Sequence, residues 1–421
     1  MIIEIKPGDT LYQIARAHNS SVEELTRLNG LERPDDLSIG QHLFVPTNQP
    51  STYTVVAGDT MYQIAGRLGV PLDALIRANP DIPNPNLIFP GQIINIPSAE
   101  KRSIEINGYA IASIDNTTLD RVLPYLTYLS IFSYQAKPDG TLTRLYEENI
   151  ISTTRASGTA PLMVITNIGE TGGFSSDLSH TVLTNINVRN NIISAIKSTV
   201  ENKNYYGINI DFEYIYPADR DAYMEFLREL RRTLPDIFMA VAVAPKYRDN
   251  QSGILYEAHD YATIGSIADR VIIMTYEWGY TYGEPMAIAP YNEVEAVIKY
   301  AVSRIPSEKI LMGMPNYAYD WQLPWRKGDA ATTLSNRQAL NLALDSGSNI
   351  LFDTKAQAPY FTYTRDGQEH IVWFEDALSI SNRIALVEKY NLAGLSYWTV
   401  NNFNAVNWSI VSDMYNVTKL F

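Results

Sequence analysis

Two textures of apolar and polar positions divide the 421-residue chain. From about residue 103 onward, apolar runs of strand length recur at 106–112, 126–134, 162–167, 206–212, 237–244, 270–275, 310–315 and 394–398. Stretches with helical periodicity, such as 219–233 and 293–304, separate most of them. Eight strands alternating with helices predict an α/β fold, a closed (β/α)8 TIM barrel over 103–421 with its active site at the C-terminal strand ends. After the seventh strand, 360–364 and 369–374 read as a hairpin turning at Asp366-Gly367, within a small α+β insertion at about 318–376. Such an insertion is expected to wall the substrate cleft.

The first hundred residues follow another rhythm, twice. Gly8-Asp9-Thr10-Leu11-Tyr12-Gln13-Ile14-Ala15 returns as Gly58-Asp59-Thr60-Met61-Tyr62-Gln63-Ile64-Ala65, and Asn29 returns as Asn79, all at an offset of 50. Beyond the Pro83-Asn84-Pro85-Asn86 loop the offset is 51, pairing Gly40-Gln41 with Gly91-Gln92 and Val45-Pro46 with Ile96-Pro97. Each copy, 1–46 and 53–97, predicts a βααβ unit in which Asp or Thr of the turn caps a helix starting at Leu11 or Met61. A second helix (22–29, 72–79) ends at Asn, and a last strand closes the unit.

These features resemble the LysM module, and the resemblance implies binding of N-acetylglucosamine-containing glycans such as peptidoglycan and chitin. Carried over position by position, Asp9, Thr10, Leu11 and 37–39 in the first copy, and Asp59, Thr60, Met61 and 88–90 in the second, are expected to line a glycan groove. On residue chemistry alone, Asp9 and Asp59 serve equally as helix caps, and Leu11 and Met61 as core. Two tethered sites raise avidity if the linker at 47–52 lets both reach one strand.

In the fourth barrel strand, Tyr205-Tyr206-Gly207-Ile208-Asn209-Ile210-Asp211-Phe212-Glu213-Tyr214, alternation puts Asn209, Asp211 and Glu213 on one face and Ile208, Ile210 and Phe212 on the other. The apolar face suits packing under helices, so the polar face points inward. Successive inward residues lie about 6.5–7 Å apart along a strand, close enough for Asp211 and Glu213 side chains to meet. Neighbouring carboxylates resist ionising together, which leaves one protonated and able to act as a general acid. Structural carboxylates at the barrel mouth would give the same pattern.

This strand resembles the Asp-x-x-Asp-x-Asp-x-Glu signature of glycoside hydrolase family 18, with Tyr206 and Asn209 in the first two acidic places and Asp211 and Glu213 in the last two. Met274-Thr275-Tyr276-Glu277-Trp278, Met312-Gly313-Met314-Pro315-Asn316-Tyr317 and Leu395-Ser396-Tyr397-Trp398 resemble further family segments, in chain order. The resemblance implies substrate-assisted, retaining hydrolysis of N-acetylglucosaminides without cofactor or metal. Glu213 is expected to protonate the glycosidic oxygen and then activate water. Asp211 would orient the substrate's 2-acetamido group, Tyr276 hold its carbonyl oxygen and Asn209 support Asp211. Trp398, Tyr317, Trp278, Tyr134 and Asn167 are the expected substrate contacts, and Tyr280, Tyr282, Trp321 and Trp325 candidate platforms for neighbouring sugars.

Composition removes other classes. With 33 Lys plus Arg against 46 Asp plus Glu, the net charge of −13 argues against a nucleic-acid partner. No cysteine is present, so thiolate chemistry and disulfides are out. No apolar run has membrane-spanning length and no leader-like pattern opens the chain, so neither a membrane partner nor an export signal is expected.

Two LysM-like copies ahead of such a barrel resemble the spore-cortex-lytic N-acetylglucosaminidases of bacilli. That resemblance implies cleavage after N-acetylglucosamine in cortex peptidoglycan during germination, by a monomer in the cortex or coat region that reaches the spore from the mother cell. A chitinase and a lectin-like glycan binder are the alternatives, and retention of Glu213 speaks against the second. Removing 1–97 is expected to weaken binding to insoluble glycan and to leave soluble fragments hydrolysed.

Overall fold

The computed structural model describes residues 1–46, 52–97 and 101–421; the expected linker, apart from Thr52, lies outside them. Eight parallel strands form the barrel: β1 (Arg102–Ile111), β2 (Tyr128–Gln135), β3 (Ala160–Thr166), β4 (Gly207–Asp211), β5 (Phe238–Val243), β6 (Arg270–Ile273), β7 (Ile310–Pro315) and β8 (Gly394–Trp398). They pair in chain order, and β8 closes onto β1 from Gly394↔Glu105 to Trp398↔Tyr109. At Gly394 the closure is tight, because a Cβ there would sit 1.7 Å from the Glu105 carbonyl oxygen.

Alternation sorts β4 as its sequence predicts. Ile208, Ile210 and Phe212 are buried in the main core between barrel and helices. The barrel interior holds a second apolar layer of Tyr109, Tyr128, Leu162, Val164, Ala240, Ala242, Ile272 and Leu311. The barrel is thus packed below and open for chemistry above.

After β7 a five-stranded antiparallel sheet and the helix Asn336–Ser346 form the insertion. Its strands Ala358–Arg365 and Gln368–Trp373 pair up to Arg365↔Gln368. Asp366 and Gly367 turn the chain with φ of 53° and 75°. Two successive positive φ values make the type I′ geometry that an Asp-Gly pair favours.

Each repeat folds as a βααβ unit, here module 1 and module 2. The helix-capping residue is threonine: Thr10 and Thr60 accept from the Gln13 and Gln63 amides. The aspartates close the preceding turn instead, Asp9 accepting from Lys6 N–H at 2.7 Å and Asp59 from Val56 N–H at 2.9 Å. The recurring asparagine ties helix to strand. Asn29 donates to the Leu25 and Phe44 carbonyls and accepts from Phe44 N–H, and Asn79 does the same with Leu75 and Asn95.

Module 1 is docked on the barrel and insertion. Phe44 is buried in the main core, with Ile2 and Leu28 packed against it. His42 Nδ1 meets Asp376 Oδ2 at 2.6 Å, both side chains buried. Arg33 pairs with Asp345 at 2.9 Å, and Ile350 N–H donates to the Ile39 carbonyl at 2.9 Å. Gly40 fits against this strut because a Cβ there would lie 1.9 Å from the Ile350 oxygen.

Candidate active site

A cavity of about 540 Å3 opens at the C-terminal strand ends. Asp211 and Glu213 line it from β4 and its extension, Met274, Tyr276, Glu277 and Trp278 from the segment after β6, and Trp398 from the end of β8. Burial raises both the Asp211 and the Glu213 pKa; the Asp211 and Glu277 charges raise that of Glu213 further. Asp211 Oδ1 is buried and has no hydrogen-bond partner among the described residues. Beneath it, Asn209 donates to Tyr109 Oη at 2.7 Å and to Ser130 Oγ at 3.1 Å. This neutral amide therefore brings no further charge to Asp211.

The site combines two carboxyls whose pKa values burial raises, one of them with a free buried oxygen, and an aromatic wall. The profile of glycosyl hydrolases family 18 matches residues 107–402, and that of the LysM domain matches 3–46 and 53–97. The chain belongs to glycosyl hydrolase family 18. The cortical fragment-lytic enzyme of Bacillus subtilis (strain 168) is 39% identical over 435 residues, covering 99% of each chain. The Bacillus megaterium QM B1551 spore cortex-lytic enzyme SleL, a crystal structure, aligns with a TM-score of 0.87 at 38% identity, covering 99% of this chain and 98% of that one. A chitinase from Chromobacterium violaceum ATCC 12472 aligns with a TM-score of 0.68 at 25% identity, over 74% of this chain and 98% of its own.

Within this family 18 barrel, five sequence-predicted residues line one cavity: Asp211, Glu213, Tyr276, Trp278 and Trp398. Tyr280 joins them, whereas Trp321 is buried and donates to the Gly283 carbonyl at 3.0 Å. Three expected substrate contacts lie elsewhere. Tyr134 turns away to the buried Glu147, because the β2 register shifts between Ile131 and Tyr134 and Phe132 takes the cavity position. Tyr317 is buried and bonds Glu277. Asn167 is fully buried against the Glu213 main chain.

The insertion does not line the cavity; it packs behind its loop, with Tyr319 Oη donating to Glu277 at 3.0 Å and Ala331 N–H to the Thr281 carbonyl at 2.7 Å. Glu277 is the residue that sequence reasoning passed over, although it directly follows Tyr276. Burial raises its pKa while the two tyrosine hydroxyls lower it. In the modules, Leu11 and Met61 are core residues, so their side chains are unavailable to a glycan. Thr10 and Thr60 remain exposed at the helix starts, while Leu87 and Phe89 are exposed apolar residues that the sequence reading named only in part.

Proposed function

We propose that this chain is a peptidoglycan N-acetylglucosaminidase of the spore cortex, cleaving after N-acetylglucosamine by substrate-assisted, retaining hydrolysis during germination. The reading is carried by one observation: Asp211 and Glu213 face a single cavity together with Tyr276 and Trp398. Full-length similarity to an enzyme named for cortical fragments supports cortex over chitin as substrate. The LysM modules supply affinity for N-acetylglucosamine-containing glycan, and the protein acts as a monomer in the cortex or coat region.

Glu213, whose hold on its proton is strengthened by burial and by the Asp211 and Glu277 charges, protonates the glycosidic oxygen. The 2-acetamido carbonyl of the bound sugar attacks the anomeric carbon from the opposite face, and the leaving saccharide departs with the proton. Asp211 turns its unpartnered oxygen to the acetamido N–H and offsets the positive charge of the cyclic intermediate. Tyr276 donates to the acetamido oxygen, and Trp398 packs beneath the ring. Ionised Glu213 then removes a proton from water as it opens the intermediate, which restores the acid.

Glu213→Gln keeps the shape and removes the proton. Turnover of cortical fragments should fall by about 10² or more with melting temperature unchanged. Hydrolysis near the wild-type rate would overturn the assignment. Mass analysis of products from cortical fragments and from colloidal chitin tests the substrate, and preference for chitin would replace the cortex reading with that of a chitinase.

A further inference from the structure

The hydrogen-bond ladder that carries the two carboxylates stops short of the second. β4 pairs with β3 as far as Thr166↔Asp211 and with β5 as far as Ile210↔Val241. Phe212 and Glu213 lie past the last rung on both sides. Tyr214 follows at φ 54°, a left-handed conformation that a non-glycine residue holds only when its surroundings enforce it.

Side chains supply the missing rungs. On the β3 side, Asn167 Oδ1 accepts from Glu213 N–H at 2.9 Å, and its Nδ2 donates to the Glu213 carbonyl at 2.8 Å. The same amide donates to the Ser175 carbonyl at 3.1 Å, which anchors it to the next loop. On the β5 side, the His259 ring bridges two main-chain groups. Ala244 N–H donates to Nδ1 at 2.9 Å, so the ring proton sits on Nε2 and is donated to the Phe212 carbonyl at 3.0 Å. Burial, aided by the Lys246 charge, pushes the imidazole pKa down to about 4, so this tautomer is neutral at working pH. Neither side chain lines the cavity.

We propose that Asn167 and His259 are positioning residues for Glu213, fixing the acid's peptide where the sheet has run out of partners. An aspartate at 167 could accept from Glu213 N–H but not donate to its carbonyl. The inference rests on Glu213 being the acid.

The test uses the full-length chain and a soluble tetrasaccharide of alternating N-acetylglucosamine and N-acetylmuramic acid. Asn167→Leu and His259→Phe remove the clamps at similar volume, whereas His259→Gln offers an acceptor to Ala244 and a donor to Phe212. A displaced acid should lower kcat by about 10²-fold while KM changes less than about threefold, and His259→Gln should recover about tenfold of the loss. The basic limb of the pH profile should move to lower pH, because Glu213 leaves the burial and the Asp211 and Glu277 charges that hold its pKa up. Folded variants with unchanged kcat and limb would overturn the inference. So would a kcat loss that follows melting temperature, with an unmoved limb and no rescue by His259→Gln. If Glu213→Gln itself turned over normally, the acid assignment would fall; if it were inactive while the clamp variants behaved as wild type, only the clamp would fall.

Discussion

Module 1 and module 2 fill the same inside positions with the same kinds of residue. Ile5, Leu11, Ile14, Ala15, Leu25, Leu43 and Val45 in the first match Val55, Met61, Ile64, Ala65, Leu75, Ile94 and Ile96 in the second. The outer faces part company. Ile2, Leu28 and Phe44, which pack on the barrel, correspond to Thr52, Ala78 and Asn95. His42, 8% exposed beside Asp376, corresponds to Ile93, 67% exposed. Gly40 meets the Ile350 carbonyl, but a Cβ on Gly91 would meet nothing within 4 Å. One fold therefore serves two purposes: the first copy is built into the catalytic body, and the second, among the described residues, leaves the matching positions open.

Unequal deletions test this division most strongly. Excising 52–97 should leave melting temperature and turnover of soluble fragments near wild type. Removing 1–97 should strip cover from the barrel, where burying side chains such as Phe44, Leu28 and Ile2 contributes about 1.5–3 kcal/mol each. Calorimetry should show a fall of about 10 °C or more. Equal melting temperatures for the two deletions would break the comparison and restore the simpler expectation of two independent modules. Point changes sharpen it at smaller scale. His42→Ala leaves the buried Asp376 carboxylate short of a partner and should cost about 1–3 kcal/mol in denaturant unfolding. Ile93→Ala, at the matching exposed place, should stay within about 0.5 kcal/mol.

Much of this architecture was legible from periodicity. Eight apolar runs foretold eight strands because barrel strands are buried on both faces and stand out from their helices. The β4 face was readable because alternation is unbroken there. Tyr134 lies off the cavity because a bulge reverses the alternation in β2, and no residue type announces that shift. Asn167 lies beside the acid as expected, but its amide is bonded to the Glu213 main chain and the Ser175 carbonyl, and in sequence such a residue looks like any polar residue at a strand end. Docking of module 1 left a trace as well. The repeat keeps its inner positions and exchanges Thr52, Ala78 and Asn95 for larger apolar residues in the first copy, a difference that has meaning only once the barrel surface is known.

The open module should then carry the glycan affinity, and the smallest expected effect tests that point. Phe89 and Leu87 stand exposed on the loop before the last strand, where module 1 has Ser38 and Asp36. An exposed flat ring suits the C–H face of a sugar, and losing such a contact costs about 1 kcal/mol. Phe89→Ala should therefore weaken cosedimentation with insoluble peptidoglycan about fivefold, measured in a Glu213→Gln background so that substrate survives the assay. Tyr12→Ala and Ser38→Ala in module 1 should leave the same binding curve unmoved. If Tyr12→Ala weakened binding and Phe89→Ala did not, the docked copy would be the glycan holder. Attachment to the barrel would then be the way a sugar strand is led to Glu213, rather than a surrender of binding.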